Sequence, residues 1–160
     1  MTFASTISSI AQGKPLASFE NMIGKWETKG TWSSGKNFHQ VVEYAWQLTG
    51  KIVVAKTYDY VDATQYDNSM RNYGIRAFND QTKTLHFFDA DVHGGVVSGT
   101  CTTESNNVYY TYDYVIGGKT QQLTDAWIYT DKDTYQFKVG IYKNGSWEKE
   151  FLTSIYKRIK

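Results

Sequence analysis

One cysteine, one proline and three histidines are all that the 160 residues contain of those types. A lone Cys101 cannot form an internal disulfide, which permits a reducing compartment. No run of about 18 apolar residues exists, so no segment reads as a membrane-spanning helix. The opening stretch "MTFASTISSIAQGKPLAS" has no basic head followed by a continuous apolar core and does not read as a signal peptide. The net charge is only +1, so no long-range field selects nucleic acid or an anionic membrane. These absences set the expectation of a cytoplasmic monomer or homodimer without nucleic-acid or membrane partners.

What is present is aromatic. The chain carries 13 Tyr, 8 Phe and 5 Trp, and its 41% hydrophobic content argues against disorder. Aromatic residues favour strands and combine a large contact area with, in Tyr and Trp, a polar tip. Phe3, Ile7, Ile10 and Ala11 recur at helical spacing before Gly13, and Pro15 suits the first turn of a second short helix ending near Met22. After Gly24 the pattern becomes extended. Turn clusters such as "SSGKN" from Ser33, "NDQTK" from Asn79, "GGK" from Gly117 and "KNG" from Lys143 separate about ten candidate strands. The longest connection is Asp62 to Ser69. No crossover helix, internal repeat or low-complexity linker intervenes. The reading is one all-β domain over 1–160, with a helical lead-in over 1–23 and an antiparallel up-and-down meander over 24–160.

A long meander leaves two exposed edges, and closure into a barrel removes them. With an even strand number, the first and last strands can pair antiparallel. A two-sheet sandwich is the competing fold, but its strands are usually shorter and its connections cross over. Residues an even number apart on a strand share a face. Trp26, Thr28, Gly30 and Trp32 form one such set, and Phe38, Val42, Tyr44, Trp46 and Leu48 another. Val108, Tyr110, Tyr112 and Tyr114 follow, then Trp127 with Tyr129, then Tyr135, Phe137, Val139 and Ile141. Facing inward, these stripes could line an apolar cavity with a few polar tips. The expected ligand-binding set is Trp32, Tyr44, Trp46, Arg76, Tyr112, Trp127 and Phe137; a solid aromatic core is the alternative.

"FENMIGKWE" resembles the opening of the lipocalin-like, or calycin, barrels, in which Gly-x-Trp begins the first strand after a short helical segment. "FLTSIYKR" is similar to their tail, which places an Arg or Lys near the end of the last strand, packed over that tryptophan. "YGIRAFNDQTKTLHFFD" and "TDAWIYTDKDTYQFKVGIYKNGSWEKEF" look like the middle and late strands of uncharacterised bacterial lipocalin-like domains, and the similarity runs from Phe19 almost to the end. The resemblance implies a closure group of Gly24, Trp26 and Arg158, with the guanidinium stacked on the indole. It extends distantly to nitrobindin-type barrels, which bind haem through a histidine late in the chain. No histidine follows His93, so haem ligation in that manner is not expected, and the reading calls for no metal or other cofactor.

"HFFDADVHGG" gathers His86, Asp89, Asp91 and His93. On a strand Asp89, Asp91 and His93 share a face, yet same-face neighbours are nearly 7 Å apart, loose for one small ion. A solvated strand-end patch is the expectation there. No "GxSxG" elbow appears, and Cys101 lacks a nucleophile's context. Acid pairs such as Asp89 with Glu43, or Asp59 with Asp113, could face one another across a barrel. The leading expectation is a non-enzymatic barrel that carries a small, largely apolar molecule. Its rivals are a small isomerase, cyclase or hydrolase using inward carboxylates or His86, and an interaction module with a filled interior.

Overall fold

A computed structural model describes residues 15–31, 35, 37–60 and 70–160. Ten antiparallel strands form a closed barrel in which every strand pairs with its neighbours in sequence and the last returns to the first. They are β1 (Gly24–Thr31), β2 (Asn37–Gln47), β3 (Ile52–Tyr60), β4 (Met70–Asn79) and β5 (Thr84–Asp91), then β6 (Val96–Glu104), β7 (Asn107–Ile116), β8 (Lys119–Asp131), β9 (Thr134–Lys143) and β10 (Ser146–Arg158). The seam between β1 and β10 is short, registering Trp26 with Arg158 and Glu27 with Lys157. Closure removes the two free edges that an open meander would expose.

The helical lead-in is, among the described residues, a 3-10 helix over Ala17–Met22. Phe3, Ile7 and Ile10 lie outside the described residues, as does the Asp62–Ser69 connection. The 3-10 helix plugs one end of the barrel: Phe19 and Met22 are fully buried. Ser18 Oγ donates to the Ser105 carbonyl at 3.0 Å, and Asn21 Nδ2 to Asn106 Oδ1 at 2.9 Å, tying the plug to the β6–β7 turn. Odd-numbered strands run away from this end and even-numbered strands return to it.

The densest packing lies just above the plug, where Trp26, Val53, Val108 and Tyr135 are fully buried. Trp26 meets the edge of Tyr135 at 4.9 Å between ring centroids. Its indole N–H donates to the Met22 carbonyl at 2.7 Å. Arg158 lies over the other side, its guanidinium carbon 4.1 Å from the indole centroid. Its Nη1 and Nη2 donate to the carbonyls of Ile23 and Asn21, each at 2.8 Å, and its Nε to Lys132 O at 3.0 Å. Gly24 begins β1 beneath this guanidinium with φ +123°, and a Cβ there would stand 2.8 Å from Nη1. Both the left-handed backbone and the closeness of the arginine demand glycine.

Two stripes end sooner than their alternation implies. Tyr114 continues the parity of Tyr110 and Tyr112 but is 49% exposed, because β7 has passed the barrel rim. On β9, Val139 and Ile141 are half-buried, beside two register shifts in the pairing with β10.

Candidate functional site

Above the Trp26–Tyr135 layer the barrel opens into a cavity of about 430 Å³ that faces the end away from the plug. Its walls come from nearly every strand because each contributes its inward parity. Three rings, Trp127 on β8, Phe137 on β9 and Tyr156 on β10, meet in one corner. Trp127 lies 4.6 Å from Tyr156 and 5.4 Å from Phe137, and Phe137 lies 5.9 Å from Tyr156. Tyr44 on β2 meets Trp127 edge-on at 5.5 Å. The Tyr156 hydroxyl donates to Gln40 Oε1 on β2, which fixes the ring across the β1 seam.

The opposite wall is charged. Arg76 on β4 is only 4% exposed. Its Nη1 and Nη2 donate to Asp89 Oδ1 and Oδ2 at 2.5 and 3.0 Å, the planar fork that matches guanidinium to carboxylate. Nε donates to the Tyr110 hydroxyl at 3.3 Å, and the Tyr110 ring centroid lies 4.8 Å from the guanidinium carbon. The pair can form because Gly74, which registers with Asp89, has no side chain. A Cβ there would fall 1.6 Å from Asp89 Oδ1 and 2.1 Å from Arg76 Nη1.

Asp125 on β8 is the third element. It lies on the inward parity of Trp127 and is half-buried, and among the described residues it accepts one hydrogen bond, from the Tyr112 hydroxyl at 2.8 Å. Burial pushes its carboxyl up to about 6 from an ordinary 3.8; Tyr112 and Arg76 pull it down, and Asp89 adds to the rise. Burial likewise raises the phenols of Tyr44, Tyr110 and Tyr112, so all three remain protonated donors near neutral pH. Arg71, Asp91 and His93 stand at the mouth. Asp91 is occupied in shaping the β5–β6 turn, where it accepts from the backbone N–H groups of His93 and Gly95 at 2.8 Å each.

Of the residues the sequence points to as ligand-binding, Tyr44, Arg76, Tyr112, Trp127 and Phe137 line this cavity. Trp32 lies outside the described residues. Trp46 does not join them: β2 runs toward the plug, which carries Trp46 to the far end. There it lines a separate cavity of about 690 Å³ with Leu16 and Phe78. Arg76 is not a free polar tip, since Asp89 and Tyr110 take three of its donors and Asp89 balances its charge.

The "HFFDADVHGG" run also resolves differently from a shared face. Asp89 turns into the cavity, Asp91 caps the turn, and His93 sits exposed within it. His86 projects outward between the inward Leu85 and Phe87 and is hydrogen-bonded to Thr84 at 2.9 Å, so it cannot act inside the barrel. Glu43 has the outward parity of β2 and does not face Asp89; Asp113 is exposed. Cys101 is buried, and burial pushes its thiol up to about 12, which rules out a ready thiolate nucleophile. Among the described residues no three His, Cys, Asp or Glu side chains converge as metal ligands, and no helix is long and apolar enough to cross a membrane.

Asp125 is the residue that motif reading misses, and Asp89, read from the sequence as part of a solvated strand-end patch or a possible partner of Glu43, belongs to the cavity wall instead. Each sits on the apolar parity of its own strand, Asp89 with Leu85 and Phe87, Asp125 with Leu123 and Trp127. A charge on an inward parity was the available signal.

No protein-family model and no curated protein matches the chain.

Proposed function

We propose that this chain is a lipocalin-like barrel that binds a small amphiphilic molecule in its open half without transforming it. The observation that carries the reading is the cavity of about 430 Å³ above a solid aromatic layer, a volume within the range of small-molecule sites. The ligand's apolar body packs against Trp127, Phe137 and Tyr156. Its polar end meets Asp125 and the tyrosine hydroxyls, which orient it. Such a pocket discriminates weakly among apolar bodies, because one methylene is worth about 0.8 kcal/mol. Broad micromolar affinity is expected, with a negative heat-capacity change. The buried Cys101 thiol is compatible with a reducing compartment such as the cytoplasm.

Titration of small aromatic alcohols, amines and acids against tryptophan fluorescence tests this reading. Saturable quenching that weakens in Phe137→Ala supports it. A panel without any saturation sinks it.

A second reading has a specific observation in its favour. A half-buried carboxyl raised to about 6, hydrogen-bonded to a tyrosine, has the properties of a general acid–base pair, as a small isomerase would need. Incubating each bound compound with the protein and recovering it separates the two. Unchanged compound supports the binding protein; a shifted double bond or exchanged proton supports the enzyme.

A further inference from the structure

The geometry points to a ligand class: the cavity takes a small organic cation, an aliphatic or aromatic ammonium compound, with its positive group placed between Asp125 and the aromatic corner. This inference rests on the binding reading above and deepens it.

Charge balance in the lining comes first. Among the described lining residues Arg71 and Arg76 are the cations, and Asp89, Asp91 and Asp125 are the carboxylates. With Asp125 ionised and His93 counted as neutral, these residues carry one negative charge in excess. The location of that excess matters more than its sign. Arg76 and Asp89 neutralise each other through two hydrogen bonds and leave nothing for a ligand to compensate. Asp91 is at the mouth, exposed, and occupied by turn amides. Among the described residues, Asp125 is the one that carries an unpaired charge deep in the cavity, with a single neutral donor, Tyr112, on it.

A half-buried carboxylate with one hydrogen bond is under-compensated, and a cation is the partner that compensates it most strongly. The neighbouring surface fits the same guest. Trp127 is the next same-face residue on β8, about 7 Å along the strand. With Phe137 and Tyr156 it forms a corner of three rings. Aromatic faces attract an ammonium group within about 6 Å, more strongly when water is excluded. An anionic guest would meet Asp125 deep in the cavity where Arg76 is already engaged, with Arg71 standing away from it at the mouth. A neutral guest would leave the carboxylate as it is.

Binding is therefore linked to ionisation of Asp125. The groups facing it are Tyr112 on β7, Arg76 on β4 and Asp89 on β5, with Tyr44 and Tyr156 also lining the cavity. Burial raises the phenols of Tyr44 and Tyr112, so neither ionises near neutral pH. His93 also stands at the mouth, and the variant below separates any contribution from it.

The experiment compares three guests of one shape and different charge: phenethylammonium, 2-phenylethanol and 3-phenylpropionate. Each is titrated against wild type and Asp125→Asn, with the wild-type series repeated from pH 8 to pH 4.5. The expected result is that the ammonium binds most tightly and loses about tenfold or more in Asp125→Asn, while the alcohol is little changed. Its wild-type affinity should fall about tenfold per pH unit below about 6, and this fall should be absent in the variant. Should Asp125→Asn fail to fold, Tyr112→Phe reads the same linkage, moving the pH midpoint upward. Equal or tighter binding of the alcohol or the acid, or an ammonium preference that survives in Asp125→Asn, overturns the inference and leaves the binding reading intact. Absence of binding by all three guests overturns both.

Discussion

Two arginines lie against aromatic rings in this barrel, Arg158 half-buried over Trp26 at the plugged end and Arg76 buried over Tyr110 in the open half. Arg158, at the plugged end, gives its donors to the backbone carbonyls of Asn21, Ile23 and Lys132 and lies flat on Trp26. Its hydrogen bonds hold the end of β10 against the plug, and Asp133 stands only loosely by, at 3.5 Å from Nε. Arg76, in the open half, gives its donors to a carboxylate and a phenol on neighbouring strands. A guanidinium satisfied by backbone fixes a boundary. One satisfied by side chains holds an inner wall in place while leaving space beside it, and in that space Asp125 keeps an unbalanced charge. Tyr135 sits between the two regions, 4.9 Å from Trp26 and 5.9 Å from Trp127, so the Trp26–Tyr135–Trp127 column couples the sealed layer to the cavity floor.

The largest effects should come from breaking each arginine's partner. Trp26→Ala should cost about 3–5 kcal/mol, as for other fully buried aromatics. Asp89→Ala should cost about 3–5 kcal/mol as well, because it strands a buried guanidinium. The difference lies in the rescue. Asp89→Ala combined with Arg76→Met should recover most of the loss, since removing both charges is often neutral. Trp26→Ala combined with Arg158→Met should recover nothing, because the carbonyls of Asn21 and Ile23 also lose their donors. Urea denaturation of the four proteins checks this, and equal rescue at both ends breaks the comparison.

A middle-sized effect of opposite sign is expected at the cavity. The Asp125 carboxyl is raised from 3.8 to about 6 by burial. Between those values the folded chain holds a proton that the unfolded chain has released. Stability therefore falls as pH rises through this window, and the full cost is present above it. Asp125→Asn should stabilise the unliganded protein by about 2–3 kcal/mol at pH 7 and by almost nothing at pH 3.5. Thermal melts across this range read the difference. Destabilisation at pH 7 would mean that the carboxylate is well compensated in the folded state.

The smallest effect sits between the two regions. Tyr135 Oη is buried without a hydrogen-bond partner among the described residues. Tyr135→Phe removes an unsatisfied hydroxyl and keeps the ring, so stability should be unchanged or rise by about 1 kcal/mol. Calorimetry that finds a loss instead would place a bridging water on that hydroxyl.

Much of this architecture is readable from residue alternation. The inward parities of β2, β7, β8 and β9, the even strand number and the barrel closure all follow from a period of two interrupted by turn clusters. The Trp26–Arg158 contact is in the expected place because Gly24 and the last strand fix both residues at one end. Alternation says nothing about height along the barrel, and so it places Trp46 with the cavity residues although β2 delivers it to the plug. Nor does it pair charges across strands. Asp89 reads as part of a solvated run until Gly74 and Arg76, on the adjacent strand, are laid beside it. Asp125 is overshadowed by Trp127, although its own parity marks it as inward.

The indole N–H signals of the tryptophans, followed by nitrogen–proton NMR during titration with phenethylammonium at pH 7, test the central claim most directly. Trp127 borders the cavity, whereas Trp26 is sealed beneath it with its N–H held by the Met22 carbonyl. A saturable shift of the Trp127 signal with the Trp26 signal unmoved is the predicted result. A shift of Trp26 alone, or no saturable shift at Trp127, would contradict a binding cavity standing above a sealed base.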